Sequence, residues 1–187
     1  MQTTRTTRGF TLIELLMTLA ILAILTACAV PAFGSLISST GARASRSNLV
    51  TALNTARIFA ASRTAHVVVC PSADRQYCGH TTEWQHGWLI FIDADHDGLR
   101  DDSEELLAVG EAQPEGVAIV STAGRTRVDY RPDGSSPGSN VTFTVCDRRG
   151  AADASALVIN NAGRVRSGEP TAAAANACEN VLDNAGA

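Results

Sequence analysis

The chain has 187 residues, a formal net charge of −4 and 45% hydrophobic residues, enough for one domain with a real core and no more. All fifteen basic residues are arginine, and a globally acidic chain of this kind needs a local basic patch to bind nucleic acid. The charge is segregated: Glu83 to Glu115 holds ten acids against Arg100, whereas seven arginines and seven acids follow Val120.

The first element is an apolar run from Arg8 to Val30, RGFTLIELLMTLAILAILTACAV. It contains about twenty mostly apolar residues, enough for a helix to cross the roughly 30 Å hydrocarbon core of a bilayer. Arg5 and Arg8 flank it on the N-terminal side, and the next basic residue is Arg43. The positive-inside rule then keeps the N-terminus cytoplasmic and sends the rest across. Glu14 is out of place inside the run. A lone carboxylate there costs about 2.5 kcal/mol or more, so a partner is expected.

Residues 10 to about 63 read as one long helix. The stretch from Ser35 to Ser47, with Gly34 and Gly41, weakens its propensity, and from Asn48 the pattern firms. Leu49, Leu53, Ala56 and Ala60 recur at helical spacing, so the second half is expected to lie against a domain. From His66 the texture turns to short β-branched runs between turn signals. Strands are expected over 66–70, 87–93, 105–109, 116–121, 127–131, 141–146 and 156–160, with a last one after Gly163. Asp97-Gly98, Pro114-Glu115-Gly116, Pro132-Asp133-Gly134 and Ser136-Pro137-Gly138 punctuate them. A helix followed by antiparallel strands is α+β architecture. The tail from Thr171 shows little apolar pattern and is expected to be loosely ordered apart from Cys178.

Of five cysteines, Cys28 lies in the apolar run, and no CxxC pair suggests structural zinc. In an exported domain the other four form two disulfides. Three connectivities are open, and the expected one joins Cys70 to Cys78 and Cys146 to Cys178, the latter pinning the tail.

The leader followed by Gly9-Phe10-Thr11-Leu12-Ile13-Glu14 resembles the N-terminus of type IV pilins and pseudopilins. The resemblance implies a leader over 1–9, cut by a prepilin peptidase between Gly9 and Phe10, and methylation of the new amine on Phe10. It implies a membrane and assembly helix over 10–31 that continues over 32–65, with Pro31 at the family's usual proline. Glu14 would pair with a neighbouring subunit's N-terminal amine, which supplies the partner a buried carboxylate needs. The subunit would sit in the inner membrane in a single pass, with a periplasmic domain, before joining a pilus or pseudopilus. A rival reading takes Leu25-Thr26-Ala27-Cys28 as a lipobox with Cys28 acylated.

Further along, Trp84-Gln85-His86-Gly87-Trp88-Leu89-Ile90-Phe91-Ile92-Asp93 and Cys146-Asp147-Arg148-Arg149-Gly150 resemble the GspH/FimT group. The resemblance implies a pilin-like fold, a GspH/FimT-like β domain over 66–170 and a tail over 171–187 pinned by Cys178. Trp84 and Trp88 are more simply read as packing residues. Gly163-Arg164-Val165-Arg166 matches the GRxR motif through which FimT proteins bind DNA for uptake. On a strand, Arg164 and Arg166 share a face about 7 Å apart, near the spacing of successive phosphates. Their guanidinium forks suit phosphate oxygens, and Gly163 would let backbone approach closely, with Arg148 and Arg149 as supporting charges for double-stranded DNA. Gly124-Arg125-Thr126-Arg127 fits the same pattern, so position alone favours the later copy. The alternative is a GspH-like minor pseudopilin of type II secretion, a structural tip subunit.

The acidic segment 93–104 has the spacing of an EF-hand-type calcium loop. Asp93, Asp95, Asp97 and Asp101 supply side-chain oxygens, Leu99 a carbonyl and Glu104 a bidentate carboxylate. The bland reading is a polar hairpin tip turned by Asp97-Gly98. A calcium-stabilised lipoprotein outside any filament is a third class. His66, His80, His86 and His96 are scattered without catalytic spacing, and the chain lacks a nucleophile elbow or phosphate loop, so no enzyme is expected.

Overall fold

The computed structural model describes Gly9 and residues 11–185. Phe10, Arg5 and Arg8 fall outside the described residues. A 52-residue helix, α1 (Leu12–Arg63), opens the chain, and the chain divides into two compact units, residues 1–37 and 38–187. In the first unit α1 is long and apolar enough to cross a membrane, and Leu12, Ile13, Leu16, Ile21 and Leu25 are all exposed. Pro31 lies within the helix.

In the second unit α1 continues through the small, polar stretch that weakened its propensity. Burial explains why. Ala42, Ser45, Leu49, Ala52, Leu53, Ala56 and Ala60 form its buried face, and a face built mostly of alanine and serine lets a helix lie close to strands. Leu49 and Leu53 are fully buried, and truncating either to alanine costs about 2–5 kcal/mol.

Eight strands follow: β1 (Val67–Pro71), β2 (Trp88–Ile92), β3 (Leu106–Gly110), β4 (Val117–Ser121), β5 (Val128–Tyr130), β6 (Val141–Asp147), β7 (Ser155–Ile159) and β8 (Val165–Gly168). Each lies within two residues of its expected place. They form two antiparallel sheets, ordered β3-β2-β1-β5 and β4-β6-β7-β8. One core serves both. Val67, Val69, Trp88, Ile90 and Tyr130 of the first sheet and Ile119, Phe143, Val145, Leu157 and Ile159 of the second meet the buried face of α1. Trp84 and Trp88 take the packing role. Trp84 sets its ring edge-on to Phe143 at 4.9 Å and donates its indole N–H to Ser121 Oγ at 3.1 Å.

The tail departs from expectation. Residues Ala172–Ala185 form a second helix, α2, rather than a loose segment. Thr171 caps it by accepting the Ala174 N–H at 3.2 Å. Ala175 and Cys178 are buried, and Cys178, Val181 and Leu182 pack with Ala118, Val120 and Cys146 on the outer face of the second sheet. Cys70–Cys78 and Cys146–Cys178 are both bonded. Loop-closure entropy assigns the longer bridge about 4 kcal/mol, so α2 is fastened by covalent and apolar contacts together.

Candidate functional site

At the start of α1, Glu14 Oε2 accepts the Thr11 N–H at 2.8 Å and the Thr11 hydroxyl at 3.0 Å, while Thr11 Oγ1 accepts the Glu14 N–H at 3.3 Å. Thr11-x-x-Glu14 is thus a capping box, and it satisfies two of the donors a helix start leaves open. The Thr-x-x-Glu spacing of this box is readable in the sequence. Glu14 remains exposed in the single chain, with lone pairs left for a cation.

The late arginines flank Val165 where β8, the edge strand of the second sheet, begins: Arg164 precedes the strand and Arg166 lies on it. A turn brings the chain into it: Gly163 donates to the Asn160 carbonyl at 2.8 Å, and the Arg164 N–H donates to Asn160 Oδ1 at 3.2 Å. β8 pairs Val165 with Ile159 and Arg166 with Val158. Val165 packs against the main core, so by strand alternation Arg166 projects from the opposite face; Arg164, just before the strand, is exposed as well. Neither makes an ion pair or a side-chain hydrogen bond among the described residues. Most other arginines of the domain are engaged. Arg63 pairs with Glu105, Arg75 with Glu111, Arg100 with Asp102, Arg127 with Asp129, and Arg149 with Asp147 and Asp153.

Gly163 has a different role from the one its motif suggests. Its φ is +71°, and an added Cβ would lie 2.2 Å from the Gly134 carbonyl oxygen and 3.1 Å from the Tyr130 ring. The backbone that approaches it closely is the protein's own. Arg57 completes the junction by donating Nε–H to the same Gly134 oxygen at 2.9 Å.

Arg148 and Arg149 are not brought to this edge. Arg166 is level with Val158 and Thr142, whereas Asp147 ends β6 opposite Val117, about 17 Å further along the strand. Arg149 is also occupied by the buried Asp147, to which it donates at 2.8 and 2.9 Å. Burial pushes the Asp147 carboxyl up, but the Arg149 side chain and backbone N–H outweigh it and hold it below the ordinary range. Arg46 of α1, which the sequence did not single out, is brought to the edge instead and donates to Ser167 Oγ at 2.6 Å. The earlier glycine-arginine copy differs in kind: Arg125 donates to the Gly138 carbonyl at 2.6 Å and Arg127 pairs with Asp129 at 3.2 Å.

The acidic segment links β2 to β3. Asp93, Asp95 and Asp97 each place a carboxylate oxygen within 4.8 Å of the others. Glu104 is buried; its Oε1 accepts the Ala94 N–H at 2.8 Å and its Oε2 the Asp101 N–H at 3.3 Å. Burial raises its carboxyl above the usual range, opposed by these two donors and supported by the charges of Asp93 and Asp101. Leu99 donates its N–H to Asp97 Oδ1 at 2.6 Å.

A family model, "Type II transport protein GspH", matches residues 46–163, more than half of the chain. The chain belongs to the GspH family. A second model, the prokaryotic N-terminal methylation motif, matches residues 4–29. GspH-family chains with this motif are pilin and pseudopilin subunits, which are filament components and not enzymes. Two crystal structures of the type IV minor pilin FimU of Pseudomonas aeruginosa strain PAO1, from different crystal forms, are similar at 18% sequence identity, with TM-scores of 0.54 and 0.52. They cover 70% of this chain and 87% and 91% of FimU, and they show the pilin fold. A comparison with curated proteins gives no significant match. The GspH match ends at Gly163, so Arg164 and Arg166 lie just beyond the matched residues.

Proposed function

We propose that this GspH-family chain is a minor type IV pilin that captures double-stranded DNA at the pilus for uptake. The observation that carries the reading is the pair Arg164 and Arg166, both exposed at the start of an edge strand without a carboxylate partner among the described residues. Arg63, Arg75, Arg100, Arg127 and Arg149 are neutralised by carboxylates, whereas two exposed arginines flanking one residue without such a partner are the chemistry a phosphate backbone requires. Capture of this kind is sequence-independent and weakens steeply with salt. In the same reading, a prepilin peptidase cuts between Gly9 and Phe10 and Phe10 is methylated. Glu14 then joins the subunit to its neighbours from a single-pass inner-membrane state with a periplasmic domain.

Gel shifts of the full chain in detergent on duplex DNA test the reading. Arg164→Gln with Arg166→Gln is expected to abolish the shift at moderate salt and to reduce the log–log salt slope by about 2. Equal binding by wild type and variant removes the assignment. The family description favours a second reading, a structural pseudopilin of type II secretion. That reading predicts no DNA binding by the wild type even at low salt.

A further inference from the structure

We propose that the loop joining β2 to β3 binds one calcium ion through Asp93, Asp95, Asp97, Asp101, Glu104 and the Leu99 carbonyl. The acid cluster alone would be an ordinary solvated hairpin tip. What distinguishes it is Asp93. Its side chain is 5% exposed, and its Oδ1 is buried with no hydrogen-bond partner among the described residues. A buried carboxylate oxygen without a donor is costly to leave so, and a cation is the partner that would remove the cost.

The surroundings point the same way. Calcium takes oxygen ligands at about 2.3–2.6 Å, so ligands across the ion stand up to about 5 Å apart, and the 4.8 Å spread of Asp93, Asp95 and Asp97 fits. The Oδ1 atoms of Asp95, Asp97 and Asp101 accept loop N–H groups at 3.1, 2.6 and 2.7 Å. That holds the carboxylates in place and leaves the second oxygen of each for a ligand. Glu104, buried beneath the loop and held by two N–H donors, occupies the closing position of the twelve-residue spacing. Nearby cations are committed elsewhere. Arg127 lies against Gly98 but pairs with Asp129, and Arg100 donates to the Gln76 carbonyl at 2.7 Å and faces Asp102. The flanking elements are strands, so the loop would be an EF-hand-like ligand set on a β-hairpin.

The site sits in the first sheet and its test is independent of DNA capture. The full chain in detergent, stripped with EDTA, is melted with and without about 5 mM calcium chloride or magnesium chloride. Calcium is expected to raise the melting temperature by about 5 °C or more, with a one-site titration by calorimetry. Magnesium at the same concentration is expected to give a much smaller rise, because it requires a tighter octahedral shell. Asp95 and Asp97 are exposed, so Asp95→Asn with Asp97→Asn is expected to keep a cooperative melt in EDTA and to lose the calcium response. Asp102→Asn, outside the ligand set, is expected to keep it. No rise in the wild type, an equal rise in the double variant, or an equal rise with magnesium overturns the assignment.

Discussion

Gly163 and its two arginine neighbours illustrate how one short motif divides into structural and chemical parts. With φ at +71° and the Gly134 oxygen in the path of any Cβ, Gly163→Ala is expected to destabilise the domain by about 2–4 kcal/mol. Chemical denaturation would read this as a lower midpoint with an unchanged slope. Arg164 and Arg166 touch no structural partner, so their glutamine variants should unfold like the wild type. A motif regular expression cannot separate these roles, because the atoms that make the glycine necessary belong to residues 134, 130 and 57. The Arg63–Glu105 pair was equally invisible in the sequence: its members are 42 positions apart, and only the fold makes them neighbours.

Elements were legible where local signals were dense. Strands bounded by Asp97-Gly98 or Pro132-Asp133-Gly134 fell where alternation and turn chemistry placed them, since each hairpin is a short-range decision. Their division into two sheets was not legible. It depends on β5 returning to β1 while β4 pairs with β6, and both are long-range choices among similar apolar runs. α2 was missed because its inward stripe is short and set among alanines, with Ala175, Cys178, Val181 and Leu182 as its apolar contacts. In hindsight Thr171 before an alanine run is a start signal. Thr171→Ala is expected to cost about 1 kcal/mol and to speed amide exchange in the first turn of α2. The Cys146–Cys178 bridge keeps the helix attached when the cap is lost, so slowed exchange further along α2 should survive.

In sequence the molecule is an apolar helical segment followed by an acidic domain, and the domain's charge distribution sets its response to acid. Asp147 is buried at the end of β6 and held below the ordinary carboxylate range, with burial opposing and Arg149 prevailing. A depressed folded-state value means that its contribution is present above the unfolded value, near 3.8, and is lost as pH falls through the folded one. Asp147→Asn is therefore expected to lower stability at pH 7 by about 2 kcal/mol and to flatten the decline below about pH 4, read by urea unfolding across pH. At the opposite end of the chain, the capping box gives Glu14 a second life. The helix start of the single chain is self-sealed, with the carboxylate folded onto Thr11. In the proposed assembly a neighbour's ammonium would take the carboxylate's remaining lone pairs while the Thr11 donors stay bound. An assembling subunit of that proposal would gain a joint without opening the start of its own helix.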